Sequence, residues 1–121
     1  MKVTYIELLG QKHPLCFSLK AYEEVLASFG SMDALYAALT SSDLTDIIRG
    51  LDELLPILMR AGRLYASAIG EQLPPVLKCR PSDVLDARDP AALGAVIASI
   101  KNDTARTVET VPKNGEATPG R

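Results

Sequence analysis

The chain has no tryptophan, a single histidine, His13, and two cysteines, Cys16 and Cys79. Each shortage closes off a class of chemistry. With one imidazole, any Ser-His-Asp or Cys-His arrangement has to run through His13. His13 follows a hairpin loop, and Cys16 falls on the opposite face of the strand pleat, so thiol and imidazole diverge. Catalysis through His13 is not expected. A metal site needs His, Cys or carboxylate groups converging at ligand spacing, and that spacing is absent. The two cysteines are far apart and form no CxxC pair, so reduced thiols are expected. Gly50, Gly62 and Gly70 are scattered with no GKS or GKT after them, so there is no phosphate-cradling loop. Glu23-Glu24 and Asp52-Glu53 are adjacent in sequence, and helix neighbours diverge, so neither is a paired-carboxylate site. No cofactor is expected.

Other absences bear on partners and compartment. No apolar stretch reaches the length of a bilayer span. The opening MKVTYIELLG is too short and too alternating for a signal peptide, so a cytosolic chain is expected. With 13 basic and 15 acidic side chains and a net charge of -2, the chain is too balanced for a phosphate-backbone binder. At 121 residues it is one domain able to bury a modest core.

What is present is amphipathic helix. The run from Asp43 to Ile69 carries a seam of Leu44, Ile48, Leu51, Leu55, Leu58, Gly62, Tyr65 and Ile69, with steps of four and three that hold one helical face. Ile47, Leu54 and Met59 widen it into a core-facing stripe. Asp46, Arg49, Asp52, Glu53, Arg60 and Arg63 occupy the outside, with Asp46 and Arg49, and Arg49 and Glu53, at helix-neighbour spacing. Pro56 removes a backbone donor and crowds the carbonyl one turn back, which predicts a kink or a break near Leu55.

The remaining elements follow in order. Val3 to Ser18 reads as a β-hairpin turning at Gly10-Gln11, a two-residue II′ loop. That loop pairs Leu8 with His13, Ile6 with Leu15 and Thr4 with Phe17 on one largely apolar face. Val3, Tyr5, Glu7, Pro14, Cys16 and Ser18 share the other, mixed face. Pro14 cannot donate to a ladder, so its strand is an edge or ends there. Ser18 caps a helix from Leu19 to Phe29 whose stripe is Leu19, Tyr22, Leu26 and Phe29. Gly30 stops it and Ser31 caps a short helix from Met32 to Leu39, with Leu35, Tyr36 and Leu39 inward. Ser42 or Asp43 caps the central helix, and Gly70 closes it. Leu73 to Arg80, with Pro74-Pro75, should be extended, and Pro81-Ser82-Asp83 should start a turn of helix through Leu85. Asp89-Pro90 opens a last helix to about Lys101 with the stripe Leu93, Val96, Ile97 and Ile100. From Asn102 the apolar period fails and disorder is expected. The predicted fold is α+β, mainly α: an N-terminal hairpin on a bundle of about five helices over residues 1–101, with a disordered tail over 102–121.

One property of these elements points outward. Gly62, with Ala61, Ala66 and Ala68 near it, would let another helix approach closely, and the hairpin offers a half-apolar second face with an edge. Binding to another protein, or self-association into a homo-oligomer, is the function these features suggest.

The first forty residues carry a resemblance. Tyr5, Ile6, Gly10, Pro14, Leu15, Phe17, Ser18, Leu19, Glu23, Glu24, Phe29, Gly30, Leu35 and Leu39 lie in a pattern of hairpin, F-S-L, acidic helix, F-G and short helix. That pattern resembles the opening of tail assembly chaperones of long-tailed (siphovirus-like) bacteriophages and prophages. The likeness continues more weakly through the central helix and into RPSDVLDARDPAALGAVIASI, covering about residues 3–101. Pro56 and Cys16 depart from it. The resemblance implies a non-enzymatic helper that binds the tape-measure protein, keeps its apolar helices soluble and recruits tail-tube subunits. It implies work in the bacterial host cytoplasm and absence from the mature virion. It also implies a longer frameshifted form, which Ile100-Lys101-Asn102 or Pro112-Lys113-Asn114 would permit at the codon level. The expected partner-binding residues are Tyr5, Phe17, Leu51, Leu55, Leu58, Gly62 and Tyr65. Neither nucleic acid nor membrane is expected as a partner.

A rival reading is a small helical DNA-binding transcriptional regulator, because Gly30 between two helices imitates a helix-turn-helix. The helix after it, SMDALYAAL, has no Arg, Lys, Asn or Gln to read base edges.

Overall fold

The computed structural model describes residues 3–86 and 93–100. An antiparallel hairpin, β1 (Val3–Leu8) and β2 (Gln11–Cys16), leads into α1 (Leu19–Phe29), α2 (Met32–Leu39), the long α3 (Leu44–Ala68) and a single turn, α4 (Pro81–Val84). Residues 93–100 are helical and are labelled α5. The fold is α+β and mainly α. The helix start at Asp89-Pro90 and the tail expected over 102–121 lie outside the described residues.

Local chemistry sets the helix ends. Ser18 Oγ accepts from the Ala21 N–H at 3.1 Å and Ser31 Oγ from the Ala34 N–H at 3.0 Å. Of the two candidates for the start of α3 it is Asp43 that caps, accepting from the Thr45 N–H at 3.0 Å. These bonds satisfy donors that a helix start leaves orphaned. At the other end of α3, Gly70 has φ +80°. Its N–H bonds to the Ser67 carbonyl, and the Glu71 N–H reaches back to Ala66. That pair of bonds is a Schellman stop, which needs the left-handed conformation at glycine.

The hairpin turns one residue earlier than expected. Leu8 faces Gln11, Ile6 faces His13, Tyr5 faces Pro14 and Thr4 faces Leu15, so the loop is Leu9-Gly10. Both loop residues have positive φ, 53° and 73°, which is a I′ turn and matches the right-handed twist of the strands. The pairing therefore slips by two residues, and a slip of two preserves the faces where a slip of one would exchange them. A two-residue turn closes on a hydrogen-bonded pair, so Tyr5 and Pro14 occupy a non-hydrogen-bonded position. The donor that Pro14 does not have would have pointed away from β1.

Pro56 does not break α3, which runs unbroken for 25 residues. The proline lies on the exposed side, where water can satisfy the carbonyl that loses its donor. The buried face of α3 follows the expected stripe at Leu54, Leu55, Leu58, Met59 and Gly62 and takes in Gly50 and Ala66 as well. Gly50, Leu54, Leu58, Gly62 and Ala66 are buried at steps of four, joined by Leu55 and Met59. Leu44, Ile48 and Ile69, at the ends of the expected seam, are exposed. Three of the buried positions are small. Gly50 lies where a Cβ would come 3.3 Å from Ala38 Cβ, and Gly62 lies against the Pro14 carbonyl with no room for a methyl. Gly50 and Ala66 carry no large apolar side chain, so a reading weighted by side-chain size passes over them.

The buried face of α1 is rotated from the expected stripe. Ala21 and Val25 are buried, whereas Leu19 is 87% exposed and Tyr22 41% exposed. In α2, Leu35 and Leu39 are buried as expected and Tyr36 is half-buried. The core joins Ile6, Leu8 and Leu15 of the hairpin to Val25, Leu35, Leu54, Leu55, Leu58, Val96 and Ile100. Each fully buried aliphatic side chain stabilises the fold by roughly 1.5–3 kcal/mol before entropy is counted. Both faces of β2 are buried from His13 to Cys16, so the mixed face of the hairpin is open along β1 and at Lys12.

Candidate partner-binding grooves

The C-terminal half of α3 carries an irregular segment, residues 71–80, that runs across it as a strap. Three contacts hold the strap. Near its start, the Tyr5 hydroxyl donates to the Glu71 carboxylate at 3.1 Å. In its middle, the Arg63 guanidinium donates to the Pro74 carbonyl at 2.7 Å. Just past its end, the Ser82 N–H and hydroxyl donate to Asp52 at 2.9 and 2.7 Å. The last pair is charge-assisted and part-buried, the stronger kind of hydrogen bond.

Between strap and helix lies a groove of about 580 Å³. Its walls are mainly apolar, with Met59, Leu64, Leu73 and Val76 among them, and Arg60 and Arg63 reach it from α3. His13 also lines it. That side chain is 3% exposed, and among the described residues its Nδ1 has no hydrogen-bond partner. Burial, and secondarily the nearby Arg63 cation, hold the His13 pKa below its ordinary value. The imidazole is therefore neutral at neutral pH.

A second groove, about 500 Å³, runs between α1 and α3, past Lys20, Ala21, Ile57, Ala61 and Tyr65. The two grooves share Arg60 and Leu64. An ion pair between Arg60 and Glu24 sits at this junction. Leu64 is 70% exposed and Val76 61% exposed. A third concavity, about 630 Å³, lies near the start of α3 and mixes the charged Asp46, Arg49, Asp52, Glu53 and Arg80 with apolar surface from Phe29, Ala37 and Ala38.

The expected partner-binding residues separate into two groups. Phe17, Leu55, Leu58 and Gly62 are buried in the monomer core, and Gly62 makes its close approach to β2 of its own chain. Tyr5 is exposed on β1, Tyr65 lines the second groove half-buried, and Leu51 is half-buried. Leu64, Val76 and Arg63 are the groove residues that the periodic reading passed over. Leu64 had a visible signal: it is a leucine on the polar side of α3, between Arg60, Arg63 and Ser67. Val76 had none, because extended segments with two prolines carry no period.

Cys16 is buried and Cys79 exposed, and neither is in a disulfide. Among the described residues no cluster of His, Cys, Asp and Glu could hold a metal ion, and no helix is long and apolar enough to cross a membrane. The exposed positions of α2 are Asp33, Ala34 and Ala37, which offer no donor to a base edge. Fold and grooves together describe a small hairpin-and-helix protein with apolar clefts along one helix. Compared with protein-family models, curated proteins and solved structures, the chain finds no match in any of the three.

Proposed function

We propose that this chain is a tail assembly chaperone of the kind found in long-tailed bacteriophages and prophages. It acts in the host cytoplasm without catalysing a reaction, and it is left out of the finished particle. It holds apolar helices of the tape-measure protein in solution and brings tail-tube subunits to them. The observation that supports this reading is the pair of adjoining apolar grooves on α3, joined at exposed Leu64. Exposed apolar side chains grouped along a cleft, with Leu19 and Val76 also open to solvent, suit a surface that covers another polypeptide.

The mechanism is coverage. A partner helix laid along α3 removes its own apolar stripe, and these side chains, from water. Co-expression with a tape-measure fragment tests the reading directly. Soluble yield of the fragment should rise several-fold with this chain present. An unchanged yield would end the proposal.

A further inference from the structure

We propose that the groove between α3 and the 71–80 strap docks an apolar helix that carries carboxylates along its flank. This rests on the chaperone reading and specifies the chemistry of the partner segment. Four observations carry it.

The first is charge. The chain has more acidic than basic residues, yet among the described residues no Asp or Glu lines this groove, and two arginines do. The second is the state of those arginines. Among the described residues Arg63 has no carboxylate partner, and its recorded bond is to the neutral Pro74 carbonyl. Arg60 shares a carboxylate, but at an exposed site where such a pair is weak and exchangeable. The third is His13, whose buried Nδ1 has no partner among the described residues. Buried polar atoms are almost always bonded, so this imidazole nitrogen has bonding capacity left over beside two arginines whose intrachain partners are a neutral carbonyl and one exposed carboxylate.

The fourth observation chooses a helix over a strand. Arg60 and Arg63 are three residues apart on α3, one turn. A helix lying alongside presents carboxylates at the same spacing. An added strand would need backbone donors from the strap, and Pro74 and Pro75 have none.

The test uses a fluorescent Leu/Ala/Glu peptide of about five helical turns, and its counterpart with every Glu replaced by Lys. Binding to the full chain is read by anisotropy. The acidic peptide should bind at least about ten-fold tighter than the basic one, and added salt should narrow the gap. Val76 is exposed, so its replacement leaves folding intact. Val76→Glu should weaken the acidic peptide about ten-fold while Val76→Lys leaves it unchanged or tighter. Equal binding of the two peptides, or indifference to Val76→Glu, overturns the proposal. So does full displacement of the acidic peptide by decanoate bound one to one, which would make the groove a site for a small amphiphile.

The two readings fail separately. If Val76→Glu solubilises the tape-measure fragment as well as the wild type does, the groove assignment falls and the chaperone reading stands. If the fragment stays insoluble while the peptides bind in the expected charge order, the groove stands and the chaperone reading falls.

Discussion

Gly62 on α3 rests directly against the carbonyl of Pro14 on β2, with no space between them for a side chain. The two halves of the contact need each other. Pro14 has no N–H to offer a neighbour, and in its non-hydrogen-bonded position opposite Tyr5 its carbonyl points off the sheet toward the helix. Gly62 lets the helix come close enough to cover that edge.

Substitution at this contact should be costly. A methyl at Gly62 must push helix and strand apart, so Gly62→Ala should destabilise by about 2 kcal/mol or more. Gly50→Ala is the comparison, because its nearest neighbours are side-chain carbons at 3.3 and 3.5 Å. There the helix-propensity gain of about 1 kcal/mol offsets a mild squeeze. Urea titration of both variants checks the ordering, and equal midpoints would refute the account of Gly62.

His13 should make stability depend on pH. Its folded pKa lies below the ordinary value of 6.5, so the unfolded chain takes up a proton that the folded chain resists. The His13 contribution is then fully present above about pH 6.5 and is lost as pH falls toward and past the folded pKa. Thermal midpoints should drop between about pH 7.5 and about pH 5.5, and His13→Gln should flatten that slope. A slope that survives the substitution unchanged would exclude His13 as its origin.

Leu9 is a leucine at φ +53° and 70% exposed. The left-handed conformation costs an ordinary L-residue roughly 1–2 kcal/mol. Leu9→Asn yields an Asn-Gly I′ turn and should stabilise by about 1 kcal/mol. Chemical denaturation reads the gain, and a loss would mean that the Leu9 side chain has a role in packing.

The strap depends on its anchors. Asp52→Ala removes the acceptor of two bonds from Ser82, at an expected cost of about 1–3 kcal/mol. Its signature is local: protease cleavage within residues 71–80 should accelerate while the hairpin stays protected. Uniform acceleration across the chain would show that the anchor serves the whole fold instead.

The hairpin was legible in the sequence because strand alternation has period two. Ile6, Leu8, His13 and Leu15 were assigned to one face, and the misplaced turn moved the pairing without moving the face. Caps at Ser18, Ser31 and Asp43 were legible because each is a short polar side chain before an apolar period. Along α3, Leu54, Leu55, Leu58, Met59 and Gly62 lay on the expected stripe, whereas Gly50 and Ala66, also buried, carry no large apolar side chain to mark them. The grooves were largely hidden for a related reason. They form where the strap returns across α3, and the bonds from Arg63 to Pro74 and from Ser82 to Asp52 join residues that local patterning does not connect.

A fibril built from stacked hairpins requires every chain to offer two bare edges. Here the outer side of β2 is occupied by α3 and interrupted by Pro14. Among the described residues β1 alone keeps an unpaired edge, and a sheet that grows from chain to chain needs two. The contact that sets the depth of the core thereby also withdraws one edge of the hairpin from pairing with a second copy.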